Sequence, residues 1–262
     1  MATSPLPSAW LERMRISQGA PSNDLGSEPA DNALPLGIRT LDQALPDGGL
    51  PRRGVVELCA PSGLGRLTHL GLAACRAAQR EELTPEAPEA PAELSWCAWV
   101  DPTGTLYAPG VAQRGVALSR LLVVRPSAED AARVAVRLVA SGVFAAIVID
   151  RTTLPGVERD PKDRHRWSLA VRRLALASEQ HACSIILLSD LEQARREPLP
   201  TRMRLELTRP RVDRLRVHLA KERRGRLVPP FELPLAELRH VSPPAPTELA
   251  ACRPAAEATA AG

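Results

Sequence analysis

The tightest constraint on the fold is a series of short, nearly unbroken apolar runs. They are "VVELCA" from residue 55, "WCAWVD" at 96–101, "RLLVVR" at 120–125, "FAAIVID" at 144–150 and "SIILLS" at 184–189. Runs this short, this apolar and this rich in β-branched residues fill strands covered on both faces, the condition of a parallel sheet. The intervals between them read as helices. "LTHLGLAACRAAQR" predicts one over 66–81, and "SAEDAARVAVRLVASG" predicts another, with Ser127 as N-cap, Asp130 in the capping-box position and Gly142 as the stop. In "DRHRWSLAVRRLALASEQH" the residues Trp167, Leu169, Leu174 and Leu176 are expected to supply apolar contacts. The alternation predicts an α/β protein with a mostly parallel central sheet and helices on both faces. From residue 203, "MRLELT", "RLRVHLA" and "RLVPPFEL" alternate apolar with polar residues, which predicts antiparallel strands added at one edge.

With 262 residues, 44% of them apolar, the chain can fill one large core. That core is expected over 35–240. Residues 1–34 form an N-terminal segment and linker in which "SAWLERMRIS" places Trp10, Leu11 and Met14 at helical spacing behind Ser8. A helix so short cannot bury its tryptophan alone, so Trp10, Leu11 and Met14 are candidates for a protein interface. The stretch "EELTPEAPEAPAEL" reads as a flexible insertion and 241–262 as a disordered tail. No run resembles a signal peptide or a membrane span, which predicts a soluble, cytoplasmic protein with no membrane partner. The five cysteines lack metal-ligand spacing and read as small buried hydrophobes, so no metal and no cofactor is expected.

The net charge of +4 says little, but its distribution says more. Between Arg195 and Arg226 stand 12 Arg/Lys against 4 Asp/Glu. Of the 34 basic residues all but Lys162 and Lys221 are arginine, so composition alone explains any single one and only clustering counts. Arg195, Arg196, Arg202 and Arg204 are candidate contacts for single-stranded DNA. With aromatics at only 3%, such contact would be to phosphate and not by base stacking. A solvated basic face is the competing reading, and both stay open.

The stretch "VVELCAPSGLGRLTHL" has the outline of a phosphate-binding loop: strand, Pro/Gly turn, helix. A working loop reads G-x-x-x-x-G-K-[ST], its Lys holding the β- and γ-phosphates and its hydroxyl placing Mg²⁺. Here the positions are Ala60, Pro61, Ser62, Gly63, Leu64, Gly65, Arg66 and Leu67. Arg66 keeps a charge in a bulkier, planar form, and Leu67 offers a metal nothing. Thr68 carries a hydroxyl one position late, about 100° round the helix. The turn from Gly63 to Arg66 keeps the capacity of a helix N-terminus to attract an anion.

The order of motifs resembles the RecA recombinase family from about residue 34 to about 235. "LPLGIRTLDQALPDGGLPRRGVVELCAPSGLGRLT" is similar to that family's opening into the phosphate loop, and "CAWVDPTGTLYAPGVAQRGVALSRLLVVRP" follows a family segment without a gap. "AAIVID" falls on the Walker B strand, while "MRLELTR" and "RVHLAKERRGRLVPPF" fall on two late strands and the "KNK" signature. The resemblance implies a RecA-like core. It also implies which chemistry has gone: Thr103 stands where the family has its water-activating Glu, and Ser189 and Asp190 stand where it has "NQ". Asp150 survives at the Walker B position, either as a metal-assisting carboxylate or as a strand-end residue satisfied by loop amides, the second being preferred. Losing the metal hydroxyl and the general base together argues against ATP turnover. The two DNA-contacting loops correspond to "RTTLPGVERDPKDRHRW" and a shortened "LEQARREPLPTRM". Lys221 and Arg223 fall on the two Lys of "KNK", which implies a protomer-facing surface; two exposed charges on an edge strand are the plainer reading.

A RecA-like core stripped of this machinery is similar to the ImuA family of accessory proteins in bacterial damage-induced mutagenesis. That resemblance implies a non-enzymatic role in translesion synthesis, with an ImuB-type Y-family polymerase homologue, an error-prone polymerase complex and RecA as partners. Two alternatives stay open: a cell-division inhibitor of the SulA type, and a weak DNA-dependent ATPase with an arginine-variant loop.

Overall fold

The computed structural model describes residues 33–64, 66–80, 95–152 and 161–238. Trp10, Leu11, Met14 and Gly65, the insertion read at 81–94 and the tail from 239 lie outside the described residues. Six strands run parallel: β3 (Val55–Ala60), β4 (Trp96–Val100), β5 (Leu121–Val124), β6 (Phe144–Asp150), β7 (Ser184–Asp190) and β8 (Met203–Arg211). Two antiparallel strands, β9 (Arg214–Glu222) and β10 (Phe231–Pro234), extend the sheet, whose order is β10-β9-β8-β3-β7-β6-β4-β5. A separate small ribbon pairs β1 (Ala33–Leu34) with β2 (Leu50–Pro51). The mostly parallel α/β architecture is the one the apolar runs predict.

Side chains alternate across the sheet and build two cores. On the first face Val56, Leu58, Trp99, Val148, Ile186 and Leu188 pack under α2 (Leu67–Arg80), with α1 (Arg39–Ala44) and α3 (Ala108–Gln113) beside it. The helix comes close because Gly71 faces the Trp99 indole: a Cβ there would lie 2.9 Å from the ring. On the second face Val55, Ile147, Ile149, Ile185 and Leu187 pack under α4 (Ala131–Ala140) and α5 (Pro161–His181). Gly142 ends α4 with φ +68°, a backbone conformation that a side chain would strain. Ser127 does not cap α4 itself; its hydroxyl accepts from the amide of Asp130 at 3.2 Å in the turn before it.

Two sequence expectations need correction. β8 is not antiparallel to its inner neighbour but runs parallel to β3, and only its other side pairs antiparallel, with β9. Its polar positions Arg204 and Glu206 are buried, so the alternation that suggested a solvent face arises from charges paired inside the protein. On α5 the stripe Trp167, Ala170, Val171 and Leu174 packs inward, whereas Leu169 and Leu176 are 40% and 65% exposed. Leu169 lies about 200° round the helix from Trp167, on the opposite side.

Among the described residues no helix is long and apolar enough to cross a membrane. The described cysteines Cys59, Cys75, Cys97 and Cys183 are buried and free.

Candidate functional site

In a parallel sheet the site forms where strands end and chains cross over, at the carboxyl edge. The register brings Ala60 of β3 opposite Asp190 of β7, and Asp150 of β6 opposite Leu188, so the phosphate-loop positions and the strand-end carboxylates share one edge. β3 gives way to a turn in which the Leu64 amide donates to the Pro61 carbonyl at 3.2 Å and Gly63 takes φ +79°. The backbone turn is thus formed, and α2 begins at Leu67.

The side chains in that turn do other work. Leu67, at the position of the metal-placing hydroxyl, is buried in the first-face core with 4% exposure. Thr68 is half-buried on the next position of the helix. Arg66 lies with Nη1 3.3 Å from Nε2 of His69, the neighbour one helical turn on. Burial, with Arg114 and Arg66 nearby, pushes the His69 imidazole down to about 4 from the usual 6.5. The imidazole is therefore neutral in the fold at neutral pH and acts as an acceptor for Arg66.

A folded-state value below the unfolded one has a definite consequence. As pH falls below 6.5 the unfolded chain takes up the proton first, so stability declines through the interval down to about 4. We expect His69→Gln to flatten that part of the profile, measured as urea midpoints between pH 7 and pH 4. Equal slopes for the two proteins would remove His69 as the cause. Asp150, whose carboxyl is pushed up chiefly by burial and also by Asp101, acts oppositely and gains stability as pH falls through its raised value.

Each strand-end carboxylate is occupied by its own loop. Asp150 accepts from the amide and hydroxyl of Thr152 at 2.9 and 2.6 Å. Asp101 accepts from the amides of Thr105 and Leu106 at 3.1 and 2.9 Å, which folds residues 101–106 back over the strand end. Thr103, at the general-base position, lies 3.5 Å from Asp101 as a hydroxyl and cannot take a proton at neutral pH. Asp190 caps the short helix α6 (Leu191–Arg196), accepting from the amides of Glu192 and Gln193 at 2.9 and 3.2 Å.

The basic candidates separate. Arg204 is inside: its Nε donates to Glu57 Oε2 at 2.8 Å, and the two side chains are 9% and 1% exposed. It does not face solvent as phosphate contact requires, which corrects that assignment. Arg195 lies over Glu206, bonded at 2.6 Å, and keeps much of its side chain exposed. Arg196 pairs with Glu192 at 3.3 Å on the surface of α6. Arg202 reaches back to the Arg53 carbonyl at 3.4 Å. Lys221 donates to the Leu199 carbonyl at 3.2 Å, and burial lowers its pKa from the ordinary lysine range. It is turned towards the segment after α6 and not outward, unlike Arg223, which is exposed and pairs with Glu179 of α5 at 3.6 Å. Residues 191–202 are thus fastened over β3, β8 and β9 by Arg195–Glu206 and by Lys221–Leu199. Sequence reasoning missed Glu57 and Glu206 as the partners; a lone Glu inside the run "VVELCA" was the available signal, since carboxylates are seldom buried unpaired.

The arrangement forms a turn over Pro61–Leu64, buries Leu67 in the core and commits Asp101, Asp150 and Asp190 to local hydrogen bonds. Comparison with known proteins agrees on ancestry. No family model matches the chain. Curated relatives include Protein RecA of Cutibacterium acnes, 31% identical over 172 residues, covering 62% of this chain and 46% of that protein. Protein RecA of Acinetobacter baumannii is 28% identical over 173 residues, with 62% and 46% covered, and that of Rhodospirillum centenum is 31% identical over 170 residues, with 61% and 44% covered. The chain therefore spans about half the length of the curated relatives it matches. Distant similarity of this extent, on a mostly parallel sheet with antiparallel strands at one edge, supports a RecA-like superfamily for this chain.

Proposed function

We infer that the protein is a non-catalytic RecA-like accessory factor in damage-induced translesion synthesis, working by contact with an ImuB-type polymerase homologue and with RecA. One observation carries the non-catalytic part. Leu67, buried at 4% exposure, stands where phosphoryl transfer needs a hydroxyl on Mg²⁺. The commitment of Asp190 to capping α6 adds to it, because a carboxylate at that strand end opposes a bound triphosphate.

Support for contact comes from the far edge of the sheet. β5 is an edge strand paired only to β4 among the described residues. Beside it lies a largely apolar hollow of about 280 Å³ lined by Leu106, Ala108, Val111, Leu118, Leu121 and Val123, together with Arg125. An extended segment added there gains main-chain hydrogen bonds from the edge and side-chain burial from the hollow. A RecA subunit docked at this edge would be capped, because head-to-tail growth needs two competent faces and this chain lacks a working nucleotide site on the other.

Phosphate release, measured with Mg·ATP and with or without single-stranded DNA, is expected at background. Deleting the gene should lower damage-induced mutation, and an Arg66→Ala variant should restore it as well as the wild-type chain does. Magnesium-dependent turnover lost in Arg66→Ala would replace this reading with the ATPase alternative.

A further inference from the structure

We propose that the outer face of α4 and α5 is a docking surface for an acidic, amphipathic segment of another protein. It goes beyond the accessory reading and does not depend on it, since it lies on the opposite face of the sheet from α2 and the phosphate turn.

The two helices pack side by side, with Arg166 of α5 reaching the Glu129 carbonyl before α4 at 3.4 Å. Because Trp167, Val171 and Leu174 face the sheet, helical geometry directs Leu169, Arg172, Arg173 and Leu176 outward, and all four are exposed. Leu169 and Leu176 lie seven residues apart, about 10 Å along one side of the helix. Arg172 and Arg173 stand between them, one to each side of that stripe, and Arg137 is exposed on α4.

Charge decides what fits. Two of the nearby carboxylates are already used, Asp130 by Arg133 at 2.7 Å and Glu179 by Arg223 at 3.6 Å, while Glu129 is exposed in the turn before α4. Among the described residues Arg172 and Arg173, and Arg137 on the neighbouring helix, have no carboxylate partner, so two unmatched guanidinium groups flank the two exposed leucines of α5. Guanidinium forks bond carboxylates bidentately, and apolar area gains by leaving water. A nucleic acid would satisfy the arginines but leave Leu169 and Leu176 wet. A helix with apolar residues seven positions apart and flanking Asp or Glu satisfies both, and it is the partner this face selects.

The probe is a fluorescein-labelled synthetic helical peptide of that pattern, Glu-rich with leucines seven positions apart, titrated by fluorescence polarisation against the full chain. Controls are the same peptide with Gln for Leu, and fluorescein-labelled single-stranded DNA. We expect binding that weakens with added salt. It should fall about tenfold or more in Arg172→Glu/Arg173→Glu, in Leu169→Gln/Leu176→Gln, and for the leucine-free peptide. These side chains are exposed, so circular dichroism and melting should be unchanged; Arg172→Gln/Arg173→Gln serves as a milder variant should the reversal perturb the fold. No peptide binding, equal affinity of all variants, or loss of DNA binding alone in the arginine variants would overturn the proposal, the last assigning the face to nucleic acid.

Discussion

Arg204→Ala is expected to destabilise the protein by about 3–5 kcal/mol, the cost typical of removing one partner from a buried ion pair. Arg204 of β8 and Glu57 of β3 meet at 2.8 Å beneath the segment that follows Asp190, and Glu57 is wholly buried. Glu57 Oε1 and Arg204 Nη2 have no hydrogen-bond partner, so the pair is incompletely satisfied even when intact. Taking away the guanidinium leaves a carboxylate in the interior, with Lys221 close enough to act on it electrostatically. Against a typical domain stability of about 5–15 kcal/mol, that loss brings the chain close to unfolding. The double replacement Glu57→Leu/Arg204→Met removes both charges and should recover most of the loss, or exceed the wild type. Urea denaturation of the three proteins decides the matter: a loss under about 1 kcal/mol for Arg204→Ala would mean that water reaches Glu57.

Trp99→Ala should cost a similar amount, about 3–5 kcal/mol, because the largest side chain of the first-face core leaves a void that rigid strands on either side cannot close. Trp99 is fully buried on β4, and its indole nitrogen has no partner. Trp99→Phe should therefore cost far less: it loses volume but also an unsatisfied donor. The contact with α2 gives an independent check. In the wild type a Cβ at Gly71 meets the indole at 2.9 Å and Val148 at 3.2 Å, so Gly71→Ala is expected to destabilise. In the Trp99→Ala background the same methyl group has room, and alanine's helix preference of about 1 kcal/mol over glycine should make it stabilising. A sign change between the two backgrounds is the expected result of the cycle. Additive effects would show that the helix can retreat from the sheet.

The parts of the fold that were legible in the sequence are those set by local rules. The runs from "VVELCA" to "SIILLS" other than "RLLVVR" are apolar on both sides because both sides are covered, whereas "RLLVVR" forms the edge strand β5, which is only half-buried, with Val123 38% exposed. β8 defeated the same reasoning. A strand whose polar positions face water and one whose polar positions form ion pairs inside write the same alternating pattern, and only the location of Glu57 and Arg195 distinguishes them. Leu169 and Leu176 look like contact residues by identity alone, but helical phase taken from Trp167 points them outward. At the candidate site the substitutions at Arg66 and Leu67 could be read position by position, since a loop of fixed spacing assigns each residue a job. The present employment of Asp190 could not, because it depends on a helix turn forming immediately after the strand. The inward turn of Lys221 likewise depends on where residues 197–202 pass.

The unlike ends of the central sheet bear on stoichiometry. One end is β10, four residues long, closed by Pro234 and preceded by Pro229 and Pro230. Proline withholds the amide that a further strand would need, so pairing is discouraged at that margin. The opposite margin, at β5, carries no such block. Any strand added at a sheet margin is thereby favoured at β5 over β10, and an assembly that needs both margins to pair is disfavoured.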